Sequence, residues 1–202
     1  MQETGLDTKS RIFYASLRLF AIDGVENTTT RGIADAAGIK CASIYNHYKS
    51  KDDILRDCYQ YFVDNHEGRR LTKEQYLPIL QSGTKDEVIH IPSSPLPEDI
   101  YENFVYSAMV LCSRIYMDKR AREIYTDIIN NASAYLNEFF ETGIAIGRFD
   151  RFDYHTLCHA YICIKLISAH MVSSVVPTDN TQLLEDQAKM ISILVGLIPF
   201  RY

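Results

Sequence analysis

Long apolar runs are missing from this sequence. Nothing in it approaches the roughly 18–20 consecutive apolar residues that a membrane-spanning helix needs. The opening MQETGLDTKS also lacks the apolar stretch of a secretory leader. Cysteine is sparse, scattered and odd in number: Cys41, Cys58, Cys112, Cys158 and Cys163 make a poor disulfide framework and suit a reducing compartment. There is no P-loop, no GxGxxG and no nucleophile–base–orienter set, so a small helical enzyme using His155 or His159 as acid or base has nothing behind it. No internal repeat, low-complexity tract or convincing run of alternating strand residues occurs. The expectation is a soluble, cytoplasmic chain with no membrane association, no cofactor and no enzymatic activity.

What is present is core material. Of 202 residues, 47% are hydrophobic and 23% charged, enough for one large domain or two small ones. The net charge of −5 argues at first against nucleic acid, but it is unevenly spread. Residues 1–70 are neutral on balance, and the acidic excess lies entirely beyond them. Within 28–51, Arg31, Lys40, Lys49 and Lys51 face a lone acid, Asp35. A basic island on an acidic protein can act as an electrostatic footprint.

Helical periodicity runs almost throughout, so the fold class is all-α. Asp7 is an N-cap candidate for a first helix carrying Ile12, Phe13, Leu17, Leu19 and Phe20 and ending at Gly24. Thr29 caps a second, short helix to about Ala37, and Gly38 supplies a turn. A third spans roughly Cys41–His47, and Ser50 or Lys51 opens a fourth whose early Asp52 and Asp53 suit the helix dipole. Prolines and Gly83 interrupt 66–100, leaving room for helices near 72–82 and 84–91 and a loop at IPSSPLP. Longer helices are expected at about 97–116, 119–142, 153–175 and 181–197.

A short helix, a glycine turn and another short helix form the layout of a helix-turn-helix, here TTRGIADAA, GIK and CASIYNHY. Ile33, Ala34, Ala37, Ile39 and Ile44 would line the seam between the two helices. The second helix would then enter a DNA major groove. It offers Tyr45, Asn46, His47 and Tyr48 there, with Lys51 toward the backbone.

Residues 11–55 closely resemble the N-terminal region of TetR-family transcriptional regulators. The match runs through Ile12, Ala15, Phe20 and Gly24, then Thr29, Ile33 and Ala34, then Ala37-Gly38-Ile39, Tyr45, His47-Tyr48, Ser50-Lys51 and Leu55. The resemblance implies a helix-turn-helix DNA-binding domain at 1–50 and a helical effector-binding and dimerisation domain at 51–202, with the fourth helix (51–65) as connector. It implies a homodimer on a near-palindromic double-stranded operator, acting as a repressor and released by a small-molecule effector. Carried over, Thr29 and Tyr48 would meet phosphates, Tyr45 and His47 would lie at the groove, and Lys51 would bind phosphate. The full DNA-contact set is Thr29, Arg31, Lys40, Ser43, Tyr45, Asn46, His47, Tyr48 and Lys51. Gly32 stands where the family usually has a polar residue, and mid-helix it would cost about 1 kcal/mol. Cys41 and Ala42 leave the early recognition helix with few base-reading groups.

The C-terminal body is rich in Tyr, Met, Cys and His. An apolar or aromatic effector pocket between the helices at 97–142 and 153–175 is expected to use Tyr106, Met109, Cys112, Tyr116, Tyr125, His159 and Cys163. His155, His159 and Cys163 share one helix face but have no partner cluster, so no metal is assigned and a half-buried face is expected. Ile162, Ile164, Leu166, Ile167, Leu183, Leu184, Ile191, Leu194 and Leu197 exceed what one buried stripe requires. The helices near 153–175 and 181–197 are therefore expected to form the homodimer interface. The alternative is a DNA-binding protein of this family that answers to a protein partner instead of an effector, which a filled body would favour.

Overall fold

The computed structural model describes residues 6–68, 70–93, 98–174 and 181–201, with side chains for all of these except 93, 166–174, 181–184 and 188. Four helices build the N-terminal unit. Helix α1 (Thr8–Ile22) starts where the Asp7 carboxylate accepts the Ser10 amide at 2.7 Å, and it ends before Gly24 at φ +84°. Helix α2 (Thr30–Ala36) is capped by Thr29, whose hydroxyl accepts the Gly32 amide at 3.0 Å. Helix α3 (Cys41–Ile44) is a single turn, and α4 (Lys51–Glu67) begins under Ser50, which accepts from the Asp53 amide at 3.1 Å. Each cap satisfies one of the amides that a helix start leaves without a partner.

Helices α5 (Lys73–Ser82) and α6 (Lys85–His90) follow, then a 3-10 turn at Ile91–Ser93. The body is completed by α7 (Glu98–Arg114), α8 (Lys119–Ala145), α9 (Tyr154–Ser174) and α10 (Thr181–Gly196). Among the described residues no helix is long and apolar enough to cross a membrane.

Two cores hold these helices. Ile12, Leu17, Phe20, Ile33, Ile44 and Ile54 are buried with Val110 and Leu111 of α7 and Ala121 and Ile128 of α8. The second core joins Tyr76 and Leu80, Val88, Leu136, Phe139 and Phe140, Phe149, Leu157, Cys158 and Ile198. Helix α8, 27 residues long, contributes to both. At Gly143 a Cβ would overlap the Phe149 ring, so the missing side chain lets that ring lie against α8. Phe149 in turn forms an isolated antiparallel bridge with Phe200, which closes the C-terminal residues over the second core. The Arg201 amide donates to the Arg148 carbonyl at 2.9 Å, and the Asp150 amide donates to the Pro199 carbonyl at 2.9 Å.

Candidate nucleic-acid interface

The helix-turn-helix is assembled by burying its small side chains. Ile33 and Ala34 of α2, Ala37 in the turn and Ile44 of α3 are each at most 5% exposed. Ala34 is 1% exposed, so a larger side chain there would press into the seam between the two helices. The turn passes through Gly38 at φ +65°, a conformation that costs an L side chain about 1–2 kcal/mol. Arg11 reaches across from α1 and donates from Nη2 to the carbonyls of Ala37 (2.5 Å) and Gly38 (3.2 Å). A Cβ on Gly38 would stand 2.8 Å from that same Nη2. Conformation and packing thus both select glycine here.

Anchored by Ile44, the short α3 presents an outward face. Lys40, Ala42, Tyr45, Asn46, His47 and Lys49 are exposed, with Tyr45 at 60%, and Arg31 and Thr29 are exposed at the start of α2. Ser43 is half-buried. The arrangement joins three cations, a flat aromatic ring and two side chains that donate and accept hydrogen bonds. Those are the groups that neutralise phosphates and read base edges. Lys49 belongs to the basic island of 28–51 but not to the expected contact set.

Three residues sit otherwise than expected. Tyr48, expected at a phosphate, is 5% exposed; its hydroxyl donates to Asp57 Oδ2 at 3.0 Å and Lys9 Nζ lies 5.3 Å from its ring centre. Burial first, and then the hydrogen bond to Asp57, push its phenol above the ordinary range. Lys51, also expected at a phosphate, donates from Nζ to the carbonyls of Val25 (2.6 Å) and Thr28 (3.0 Å). It fastens α4 to the loop before α2. Gly32 is the third residue of α2 and not mid-helix; its amide is the one Thr29 caps.

Residues 12–58 match the family model of bacterial regulatory proteins of the tetR family. That match takes in most of α1, then α2, α3 and the start of α4, so the N-terminal unit is a tetR-type DNA-binding region. Two curated relatives share this region with the chain. The transcriptional repressor KstR2 of Mycolicibacterium smegmatis is 36% identical over 56 residues, 28% of this chain and 27% of that one. The biofilm operon negative regulator IcaR of Staphylococcus epidermidis is 37% identical over 60 residues, 28% of this chain and 32% of that one. The chain spans less than a third of the length of these relatives. Over the whole fold, the TetR-family regulator PfmR of Thermus thermophilus superposes with a TM-score of 0.66 at 18% identity, covering 92% of this chain and 97% of its own. A regulator from Saccharomonospora viridis, solved with choline, gives 0.64 at 18% identity, covering 96% and 98%.

In the C-terminal body Cys112 and Tyr116 lie close enough to Tyr125 to act on its phenol, but the seven expected effector residues do not gather at one site. Tyr116 is 80% exposed, and His159 and Cys163 are exposed with His155 on the outer face of α9, not half-buried. Met109 and Cys112 are buried core, and the Tyr106 hydroxyl donates to Glu102 at 2.8 Å. Tyr125 is half-buried. None of the seven lines the apolar cavity found among the described residues, which lies between α6, α8, α9 and α10. Its walls include Val88, Leu136, Phe139, Phe140, Leu157, Cys158, Tyr161, Leu194, Ile198 and Phe200, with no charged group. Its volume is about 30 Å³. Burial pushes the Cys158 thiol up to about 11, so it meets the cavity as a neutral group. Of the expected dimer residues, Leu166, Ile167, Leu183 and Leu184 lie outside the described side chains, as do His170 and Met171. Ile162 is buried, while Leu197, with Ile193 beside it on α10, is more than 60% exposed.

Proposed function

We propose that the protein is a transcriptional repressor that binds a near-palindromic double-stranded DNA operator as a homodimer, through the outward face of α3. The observation that carries this is the α2–turn–α3 unit. Its inner side chains are fully packed, and Lys40, Tyr45, Asn46, His47 and Lys49 stand together on its exposed face. Repressor names among relatives of the N-terminal region support the direction of control. The test is fluorescence anisotropy with a duplex selected from a random library, at two salt concentrations. Saturable binding that is lost when one half-site is scrambled is expected. Binding that vanishes equally on both duplexes as salt rises would reduce the activity to non-specific contact.

Release by a small molecule is the finer part of the reading. The cavity between α6, α8, α9 and α10 has no charged wall, so it favours a neutral, apolar effector. At about 30 Å³ it holds a water-sized group and must widen to admit a ring. That small volume favours the second reading, a regulator that answers to a protein partner. A thermal-shift screen separates the two, with neutral aliphatic and aromatic compounds set against choline, the ligand of the Saccharomonospora relative. Stabilisation by a neutral compound that also releases DNA supports the effector, and no shift across the panel supports the partner.

A further inference from the structure

The corner between α7 and α8 packs on the N-terminal unit through Val110, Leu111 and Ala121, and it adds an ion pair on each side of α2–α3. On the entry side, Arg114 at the end of α7 pairs with Glu26 in the loop before α2. On the exit side, Arg120 in the first turn of α8 makes a bidentate pair with Asp52 in the first turn of α4, at 2.9 and 2.6 Å. Asp118 holds Arg120 in that pose, accepting from both Nε (3.2 Å) and Nη2 (2.9 Å), and it also accepts the Tyr59 hydroxyl at 3.2 Å. Hydrogen bonds from Arg120 keep Asp52 and Asp118 below the ordinary carboxylate range, and Arg114 does the same for Glu26. A planar guanidinium held on both edges fixes direction as well as distance, which a single point charge does not.

We infer that Arg120 is a positioning residue for DNA binding: through Asp52 it sets the tilt of α4, and hence the angle at which α3 is presented, without forming part of the reading face. The inference rests on the DNA-binding reading above. Its reach comes from α8. Arg120 stands at one end of that helix, and Leu136, Phe139 and Phe140 of the apolar cavity stand ~24–30 Å along it at 1.5 Å per residue. A widening of the cavity that tips α8 therefore arrives at the Asp52 pair.

The test uses Arg120→Gln, Asp52→Asn and the double variant in the full-length protein. Amide hydrogen exchange is read over residues 24–31 and 45–56, and affinity is read on the duplex selected by the wild-type protein. Each single variant should exchange faster in both segments and bind that duplex about ten-fold more weakly, the size of a typical coupling between sites. The double variant should be no weaker than the weaker single, because both act through one pair. Arg120→Lys, with the charge but not the fork, should recover only part of the loss. Unchanged exchange in Arg120→Gln overturns the inference whether or not DNA binds. So does faster exchange with unchanged affinity, or strict additivity in the double variant. If wild type selects no duplex, the DNA-binding reading fails by itself, and positioning for DNA falls with it even where exchange shows the pair intact.

Discussion

Tyr45 and Tyr48 are three residues apart and do opposite jobs. The first is 60% exposed at the tip of α3, and the second is 5% exposed with its hydroxyl on Asp57. Truncating a buried aromatic removes both its transfer energy and its packing, so Tyr48→Ala should cost about 3–5 kcal/mol in denaturant unfolding. Tyr48→Phe removes only the hydroxyl and should cost about 1 kcal/mol. Tyr45→Ala should leave stability within about 0.5 kcal/mol while weakening operator binding. Equal destabilisation by the two alanine variants would show that the two rings are not divided in this way. The lysines divide similarly. Lys40→Ala on the exposed face should lower the salt slope of DNA binding by about one. Lys51→Met should leave the slope unchanged and lower the melting temperature, because its ammonium serves the Val25 and Thr28 carbonyls. A drop in slope for Lys51→Met would return it to the phosphate backbone.

At the scale of elements, helix starts were legible because a cap is a local event. Asp7, Thr29 and Ser50 each carry an oxygen that reaches an amide three residues on; Asp7 and Thr29 cap as read, and of the pair Ser50 or Lys51 it is Ser50 that caps. The breaks around 66–100 were partly local: α6 falls between Gly83 and Pro92, whereas α5 runs straight through Pro78 and ends at Gly83. The third helix was read too long. It stops at Ile44, and the amides of both His47 and Tyr48 turn back to the Ile44 carbonyl at 2.9 Å. One turn is too short to display a helical period, so nothing in the sequence told which tyrosine faces inward. The cavity was hidden for a different reason. Its walls come from four helices and the C-terminal residues, and helix spacing alone does not say which face of α7 or α8 meets a neighbour. The turn itself makes a prediction. Gly38→Ala must adopt φ +65° and displace Arg11, and it should lose about 1–2 kcal/mol or more in thermal unfolding. Arg11→Met alone should show the smaller part of that loss. A neutral Gly38→Ala would mean the turn relaxes without Arg11.

At the scale of the whole molecule, the proposed homodimer has exposed apolar side chains on and just beyond α10 to meet through. Ile193 and Leu197 are 67% and 63% exposed, Met190 is 42% exposed, and Cys163 lies exposed on α9. Side chains of this kind in a row suit a symmetric helical interface in which one patch meets its own copy. The Cys163 thiol then reports on assembly. It should react readily with a disulfide reagent in dilute protein and slowly where the dimer is populated. Cys112 and Cys158 should resist at every concentration, since burial pushes both thiols up to about 11. Ile193→Lys places a charge that two copies cannot bury together, and it should halve the mass seen by light scattering while the far-ultraviolet helical signal stays intact. It should also weaken binding to a two-half-site operator far more than to a single half-site, because the dimer's second head binds at the effective concentration set by the first. A dimer that survives Ile193→Lys with Cys163 still freely reactive would move the interface off this face. The spacing of the two α3 helices would then be set by some other surface of the body.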